Sequence, residues 1–289
     1  MSFVYAEKVY SETAEKESIR ILCDTKIEMS RYSPAHFSAR EYRLVSQYGI
    51  VKSTICNPQL CISFAGNNIL YASKLFRELA GMESFELPDV SELALKVHQE
   101  AGSSNDIEFI IAYYSDEQRH LDCVKNGVLY RDQIVSYIGS DVAFSEFQKA
   151  RLSEGRDAKK HTQQAFRDVV SGCRDTSVGG RVLEVSYFFD DNTFMYTWER
   201  SYTTGKDQIV KPGECIKFCT SANDGGYSYE VIHQDIQNVF FNIDQMKPAI
   251  LYSRQFRTDS SDKENPSLFG LMLPILVEPK PDGTFVVCK

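Results

Sequence analysis

The N-terminal two thirds of the chain alternates short apolar runs with polar turns, a pattern typical of antiparallel strands. Residues 3–9 (FVYAEKV) and 19–24 (IRILCD) are rich in β-branched and apolar residues, and a polar stretch separates them. We predict that they form a first β-hairpin. The same pattern, with a turn at Asn126-Gly127, predicts further strands at residues 49–54, 59–64, 107–114, 134–138, 181–189 and 193–198.

Helical periodicity appears in four segments between these strands. Apolar residues from Ile69 to Leu79 recur at helical spacing, with Asn67 or Asn68 available as N-cap and Gly81 as C-cap. A second helix is predicted from the capping-box-like pair Asp89 and Glu92 and from Gly102 as its stop. Two more are predicted at residues 142–152 and 161–171. Residues 29–48 have neither period and predict a loop, with one helical turn as the open alternative.

The last ninety residues are composed almost entirely of strand-like runs and turns. These runs occupy residues 215–220, 227–232, 239–243 and 249–256, and a last hairpin is centred on residues 281–283. Residues 257–266 are charged, small or Pro and predict an exposed or disordered loop. The element order indicates a mixed α+β, antiparallel structure.

Composition indicates a globular protein and gives low priority to two classes of partner. The chain has 289 residues, 43% of them hydrophobic, which is enough for a sizeable core. The net charge of −8 has no clustered Lys or Arg, so neither nucleic acid nor a membrane surface is an expected partner. We find neither a signal peptide nor an apolar run long enough for a bilayer, and we predict a soluble, cytoplasmic protein.

Metal and phosphate chemistry have little support in the sequence. The eight cysteines include no CxxC pair, and we predict buried free thiols in a reducing compartment. The five histidines share neither HExxH nor clustered spacing, which argues against a zinc hydrolase. Gly179-Gly180 lacks the Lys-Ser/Thr of a phosphate loop. We predict no cofactor.

Four short stretches are the most informative part of the sequence. They are IRILCDTKI, GIVKSTICNPQLCISFAGN, SYIGSDVAFSEF and GCRDTSVGGRVLEVSYF, which end at Ile27, Asn67, Phe147 and Phe188. In order and spacing they resemble the proteasome and HslV-like branch of the N-terminal-nucleophile (Ntn) hydrolases. The resemblance implies a four-layer αββα sandwich for residues 1–200. Residues 201–289 would then be a β-rich C-terminal extension of unknown role.

The resemblance also implies an active site. In this family the first residue of the mature chain supplies the nucleophilic hydroxyl, and its own α-amine, which titrates near pH ~8, is the general base. A lysine keeps positive charge beside the hydroxyl and an aspartate holds the lysine. The positions that match the family's nucleophile and its supporting groups are Ser2, Asp24, Lys52, Ser140 and Asp175.

A substrate site is implied in the same way. Gly66 would expose backbone groups that bind an extended substrate strand by β-addition. Glu28 stands where the family usually has a small hydroxyl residue lining the groove, and Phe64 is assigned to the same groove. Gly172, Asp175 and Val178 are weak candidates for a turn whose carbonyls bind a cation.

Three positions depart from the family pattern. Val178 replaces a serine before the double glycine, although Ser177 is adjacent, and Glu28 replaces the small residue of the groove. The third departure is the start of the chain. A one-residue choice of register places either Met1 or Ser2 opposite the nucleophile, and only Ser2 has a hydroxyl.

These observations leave two functional hypotheses. The first is a peptidase or amidohydrolase in which Ser2, exposed by loss of Met1, attacks an amide carbonyl of a peptide or protein substrate. The second is a catalytically inactive scaffold or partner-binding subunit, in which Asp24 and Lys52 remain as a buried ion pair. The resemblance further implies a homo-oligomer, possibly a ring, and an ATP-dependent unfoldase as partner.

Overall fold

The structure is a computed structural model of the chain. It describes residues 2–11, 16–28, 37, 39–82, 84, 86–102, 107–153, 158–188, 192–196, 201–204, 215–217, 220–223, 226–229, 238–241, 249–254, 268–279 and 284–287. The predictions for residues 257–266 and for Cys215, Cys219 and Cys288 therefore fall, wholly or for their side chains, outside the described residues. All five cysteines whose side chains are described are free, and three of them, Cys23, Cys61 and Cys123, are buried.

Strands dominate the described residues. The strands are β1 (Phe3–Ser11), β2 (Lys16–Asp24), β3 (Ser53–Asn57), β4 (Leu60–Gly66), β5 (Ile107–Ser115), β6 (Gln118–Lys125), β7 (Val128–Tyr130), β8 (Val135–Gly139), β9 (Val182–Phe188), β10 (Thr193–Tyr196), β11 (Ser201–Thr204), β12 (Cys215–Lys217), β13 (Thr220–Asn223), β14 (Gly226–Tyr229), β15 (Asn238–Phe241), β16 (Ala249–Arg254), β17 (Met272–Pro279) and β18 (Thr284–Val287). The helices are α1 (Ala39–Tyr48), α2 (Ile69–Ala80), α3 (Leu87–Ala101), α4 (Asp141–Ser153) and α5 (Ala158–Gly172).

Two five-stranded antiparallel sheets position the residues predicted to form the site, most of which lie at or just beyond the strand ends. The first has the order β10-β9-β2-β1-β8 and the second the order β3-β4-β5-β6-β7. Strand β1 is buried on both faces because its apolar residues do not alternate with polar ones: Val4 and Ala6 join one apolar cluster, and Phe3 and Tyr5 join another. The first cluster draws on both sheets, and the second lies against α4 and α5.

A third apolar cluster lies on the second sheet under α2 and α3. Helix α2 begins after Asn68, whose side chain accepts a hydrogen bond from the Leu70 N–H, and it ends at Gly81, as predicted. Helix α3 ends before Gly102, also as predicted. Its start differs from the prediction, because Glu86 is the N-cap without a side-chain cap bond and Pro88 is in the first turn.

Two further local predictions are wrong. Residues 39–48, predicted as loop, form helix α1, whose Val45 is buried in the cluster under α2 and α3. The Asn126-Gly127 turn connects β6 with β7 rather than β5 with β8, and β6 was missed. The sequence of β6 obscures the alternation because Asp122 is buried, where it accepts hydrogen bonds from Ser91 Oγ (2.7 Å) and Asp132 N (2.8 Å).

The prediction of a four-layer αββα sandwich is wrong. The described residues form a mixed structure with five helices, two five-stranded antiparallel sheets, a six-stranded sheet of order β11-β15-β16-β17-β18-β12 and a two-stranded sheet of β13 and β14. Strands β16 and β17 pack into the core instead of extending from it. Tyr252 and Met272 belong to the cluster that draws on the first two sheets, and Leu271 and Leu273 belong to the cluster on α2.

The physical reason is that apolar strands near the C-terminus need partners. An isolated bridge joins Val51 and Met272, which places β17 next to the residue before Lys52. The Tyr252 hydroxyl donates to the Tyr48 carbonyl at 2.5 Å. These contacts join segments about 200 residues apart, which no local pattern indicates. Whether residues 1–200 fold alone stays a prediction.

Candidate functional site

Asp24 and Lys52 form a buried ion pair at the ends of two neighbouring segments. Asp24 is the last residue of β2, and Lys52 directly precedes β3. Lys52 Nζ lies 2.5 Å from Asp24 Oδ1 and 2.5 Å from the Lys26 carbonyl oxygen, to which it also donates. The side chain of Lys52 is 2% exposed and that of Asp24 is 0% exposed, so the pair is shielded from solvent on all sides.

The same aspartate holds the beginning of the chain. Asp24 Oδ1 accepts a second hydrogen bond, at 3.0 Å, from the backbone N–H of Phe3. Its other oxygen, Oδ2, accepts the N–H of Gly179 at 3.0 Å. Asp24 therefore joins the N-terminal strand, Lys52 and the turn before β9 through its two carboxylate oxygens.

Ser140 holds the other side of the same peptide group. Its backbone N–H donates to the Ser2 carbonyl oxygen at 2.7 Å. The peptide that links Ser2 to Phe3 thus donates to Asp24 through its N–H and accepts from Ser140 through its carbonyl. We call this group the Ser2–Phe3 peptide.

Ser140 in turn is bonded to Asp175. Ser140 Oγ donates to Asp175 Oδ2 at 2.5 Å and accepts from Ala143 N at 3.1 Å. The other carboxylate oxygen of Asp175 accepts from the Ser177 hydroxyl at 2.5 Å and from the Ser177 N–H at 2.9 Å. Ser177 thus contacts Asp175 where the family pattern has its serine one residue later.

A close approach at Gly139 explains how Ser140 reaches Ser2. Gly139 has φ +91, a conformation that L side chains rarely adopt. A Cβ added there would lie 2.0 Å from the Ser2 carbonyl oxygen and 3.1 Å from Ala65 Cβ. Only glycine allows the strand end of β8, the end of β4 and the start of β1 to meet here.

Burial dominates the electrostatics of the ion pair. Desolvation raises the pKa of the Asp24 carboxyl, although Lys52 and the two backbone donors act against this. Desolvation likewise lowers the pKa of the Lys52 ammonium, opposed by its attraction to Asp24. The proton of Lys52 is therefore held less tightly than in an exposed lysine.

Asp175 shows the opposite behaviour. Its partial burial acts to raise its pKa, but the hydrogen bonds from Ser140 and Ser177 outweigh this and the pKa of Asp175 is lowered. Asp175 is therefore an anion near neutral pH. It can accept hydrogen bonds from both serines in that state.

The structure joins the five predicted catalytic residues in one hydrogen-bond network, but the expected contact between Lys52 and Ser2 is not among the bonds that the structure describes. Hydrogen bonds link Asp24 to Lys52 and to the Ser2–Phe3 peptide, and link that peptide through Ser140 to Asp175. Within the part of the chain that the structure describes, the hydrogen bonds of Lys52 Nζ go to Asp24 and Lys26, and none joins it to Ser2. Ser2 itself is 5% exposed.

The predicted substrate residues are less well grouped. Phe64 is 1% exposed and packs edge-on against Phe76 at 6.3 Å between ring centroids. Its side chain lies in the cluster under α2 and α3, and its assignment to the groove stays a prediction. Gly66 is half-buried at the end of β4 and Glu28 is exposed, so both remain candidates.

The candidate cation turn is closed by a backbone hydrogen bond, and its role stays a prediction. The Asp175 carbonyl oxygen accepts the N–H of Val178 at 3.1 Å, which closes the turn, and Gly172 is the last residue of α5. Among the described residues, no group of three or more His, Cys, Asp and Glu side chains is arranged to hold a metal ion.

The sequence did not predict three groups that hold the site: two backbone groups and the side chain of Glu108. The Lys26 carbonyl and the Gly179 N–H have no sequence signal because any residue supplies them. Glu108, whose Oε2 accepts the Gly139 N–H at 2.7 Å, reads as an outward-facing position of β5. Its one visible signal is a charged residue inside the apolar run IEFIIAYY.

Comparisons with known proteins leave the resemblance as a prediction. No protein-family model matches the chain, and no curated protein matches it significantly in sequence. None of the helices that the structure describes is both long and apolar enough to cross a membrane.

Proposed function

We propose that this protein is an N-terminal-nucleophile peptidase or amidohydrolase of the kind that the four sequence stretches resemble. Ser2, exposed as the first residue by removal of Met1, is the nucleophile. Its own α-amine is the general base, and Asp24, Lys52, Ser140 and Asp175 hold and polarise it. The proposal rests on the connected site and not on the layer arrangement predicted from the sequence.

The observation that carries the proposal is the double attachment of the Ser2–Phe3 peptide. Its N–H and carbonyl are each bonded to a residue that the sequence assigned to the site, Asp24 and Ser140. A residue with both sides of its peptide fixed has few orientations left, and fixed geometry is what a nucleophile requires. One of the two partners is the carboxylate of the buried Asp24, which an ordinary strand pairing does not require.

Removal of Met1 would place base and nucleophile on the same residue. The Ser2 α-amine titrates near pH ~8, so a fraction is neutral at pH 7 and accepts the hydroxyl proton as Oγ attacks the amide carbonyl. Attack gives a tetrahedral intermediate, whose C–N bond then breaks: the amine half of the substrate leaves with that proton and an acyl-enzyme ester remains. Water then hydrolyses the ester. Lys52 contributes positive charge that favours the alkoxide, and Asp24 fixes its position.

Covalent labelling tests the proposal. A capped peptide ending in a β-lactone acylates an activated hydroxyl by ring opening, so the adduct has the mass of the chain plus the probe. We expect one adduct, on Ser2, in the chain without Met1, and no adduct in Ser2→Ala. Labelling that persists in Ser2→Ala at the same rate would show that another residue reacts and would refute the proposal.

The second candidate is a catalytically inactive subunit that serves as scaffold or partner-binding module. Two observations favour it: Ser2 is 5% exposed, and the Lys52 hydrogen bonds that the structure describes go to Asp24 and Lys26 instead of Ser2. Under this alternative the ion pair is structural. The chain without Met1 would then stay unlabelled by the peptide β-lactone although it is folded by circular dichroism.

Partners and compartment follow as parts of the same proposal. We propose a peptide or protein substrate, a homo-oligomer, possibly a ring, and an ATP-dependent unfoldase as partner, all from the resemblance. Light scattering that gives the mass of a single chain would contradict the oligomer. We place the protein in the cytoplasm, which the five free cysteines support because disulfides are rare there.

A further inference from the structure

The Gly139-Ser140 turn, on which the Ser2–Phe3 peptide depends, is itself held by a side chain from the other sheet. Glu108, the second residue of β5, accepts the Gly139 N–H through Oε2 at 2.7 Å. Glu108 pairs across the ladder with Ala65, whose Cβ is one of the atoms closest to Gly139. The first and second sheets are therefore tied together at this point.

The orientation of the Glu108 side chain is restrained by its surroundings. Its side chain is 13% exposed, and its Oε2 lies 3.9 Å from Lys125 Nζ, which is 15% exposed. Lys125 also contacts Asp141 Oδ1 at 3.2 Å and lies 3.9 Å above the Tyr137 ring. Lys125 is held by these contacts, so it limits the positions open to the Glu108 carboxylate.

One chain of contacts leads from Glu108 to the proposed nucleophile. Glu108 fixes the Gly139 N–H, and the next N–H, that of Ser140, donates to the Ser2 carbonyl oxygen at 2.7 Å. Rotation of the peptide before Gly139 would move Ser140 N and Ser140 Oγ together. Both the Ser2 bond and the Asp175 bond would then lose their geometry.

We propose that Glu108 is a positioning residue for the nucleophile: by holding the Gly139 N–H it aligns Ser140, which in turn fixes the Ser2–Phe3 peptide. Glu108 touches neither substrate nor the reacting atoms and acts through Gly139 and Ser140. The proposal rests on the proposed function of Ser2 and names a residue that the sequence did not assign to the site.

Two variants separate positioning from charge. Glu108→Gln keeps an oxygen that accepts the Gly139 N–H, whereas Glu108→Ala removes the acceptor. Glu184→Ala is the matched control, since Glu184 is also a buried, hydrogen-bonded glutamate, but its partners are Gln163, Ser186 and Arg20 instead of the Gly139 N–H. Circular dichroism and thermal melting give the folded fraction of each variant.

The first readout is the kinetics of labelling by the peptide β-lactone in chains without Met1. We expect Glu108→Ala to lower the maximal labelling rate by roughly 10- to 100-fold with the probe's half-saturation concentration unchanged, because misplacement of a reacting group slows the step and not the binding. Glu108→Gln and Glu184→Ala should stay within about threefold of the parent chain. A structural defect alone would reduce the labelled amount without this change in rate constant.

The second readout is amide hydrogen exchange at Gly139 and Ser140, which does not depend on reactivity. We expect faster exchange there in Glu108→Ala only. Unchanged exchange in Glu108→Ala, or faster exchange with an unchanged labelling rate, overturns the positioning role. If the parent chain is not labelled at all, the proposed function fails and the positioning role fails with it. The exchange data then show separately whether Glu108 holds the turn.

Discussion

Removal of Lys52 tests the energetic meaning of the buried pair. In Lys52→Met the Asp24 carboxylate, 0% exposed, loses the Lys52 ammonium and keeps the two backbone donors Phe3 N and Gly179 N. Breaking a buried pair by removing one partner costs about 3–5 kcal/mol, because an uncompensated charge stays buried. We expect a loss of this size in the free energy of unfolding near neutral pH.

The loss should depend on pH in a direction that the pKa shifts fix. Burial raises the pKa of Asp24, so the folded chain binds a proton more tightly than the unfolded chain. The stability of Lys52→Met should therefore fall as the pH rises above ~4, the value in the unfolded chain, until the folded pKa of Asp24 is passed. Protonation of Asp24 at lower pH removes the unpaired charge.

Asp24→Asn should show the opposite slope. Burial lowers the pKa of Lys52, so the folded chain releases its proton more readily. The stability of Asp24→Asn should rise with pH between the folded pKa of Lys52 and ~10.4, the value in the unfolded chain. Opposite slopes in two variants of one pair are difficult to obtain from a general loss of packing.

Urea titration followed by far-UV circular dichroism at about pH 5, 7 and 9 gives these free energies by linear extrapolation. Lys74→Met is the matched control, since Lys74 pairs with Glu100 on the surface, where the side chains are 39% and 37% exposed. Its loss should stay below about 1 kcal/mol at every pH. The reasoning is refuted if Lys52→Met costs no more than Lys74→Met or if the two slopes of the pair have the same sign.

Three further predictions concern the surroundings of the site. Gly139→Ala should lower the free energy of unfolding by about 2–4 kcal/mol in urea titrations, because a Cβ at Gly139 would lie 2.0 Å from the Ser2 carbonyl oxygen. Gly127→Ala should cost about 1 kcal/mol, because Gly127 also has a positive φ (+76) but a Cβ there meets nothing within 4 Å. Equal losses would contradict the close approach. Tyr252→Ala should cost about 3–5 kcal/mol in the same assay, since Tyr252 is fully buried. Leu152, which is 87% exposed, is the control, and Leu152→Ala should change the stability by less than about 0.5 kcal/mol. A small loss for Tyr252→Ala would mean that β16 does not support the core. The lowered pKa of Asp175 contributes stability above pH ~4, and this stability is lost as the pH falls through the folded pKa. Acidification should therefore destabilise the parent chain more steeply than Asp175→Asn. Parallel curves of unfolding free energy against pH would contradict the serine contacts.

The parts of the fold that the sequence predicted well are those with local causes. Helix α2 has an apolar stripe, a side-chain cap at Asn68 and a stop at Gly81, all within fifteen residues. The hairpin of β1 and β2 follows from two apolar runs around a polar stretch. In such elements the local sequence contains the signals for where the element begins and ends, and tertiary contacts stabilise the element without changing its bounds.

The parts that were missed have non-local causes. Helix α1 has only ten residues, and it is stabilised where Val45 meets the cluster on α2 and where the Tyr48 carbonyl accepts the Tyr252 hydroxyl. Strand β6 contains Asp122, which is stabilised in the interior by hydrogen bonds from Ser91 and Asp132 N and by the nearby Arg131 guanidinium. Strands β16 and β17 pack against segments far away in the sequence, so their place in the core could not be read from their own pattern.

The site divides in the same way. Asp24, Lys52, Ser140 and Asp175 became candidates because a resemblance supplies spacing between distant residues, and the structure joins them by hydrogen bonds. The Lys26 carbonyl, the Gly179 N–H and Glu108 were missed because backbone groups have no sequence identity and because Glu108 differs from a surface glutamate only by its burial. The nucleophile was left between Met1 and Ser2, since one residue of register decides which face of the strand a side chain occupies.

The most direct test of the central claim compares two chains that differ only at the N-terminus. One is prepared with Ser2 as the free first residue and the other with Met1 retained, and intact mass confirms both. Each is incubated with the peptide β-lactone, and the labelled residue is identified by peptide mapping. We predict an adduct on Ser2 in the first chain and none in the second. Equal labelling of both chains, or labelling of neither, would contradict the claim that Ser2 is an N-terminal nucleophile.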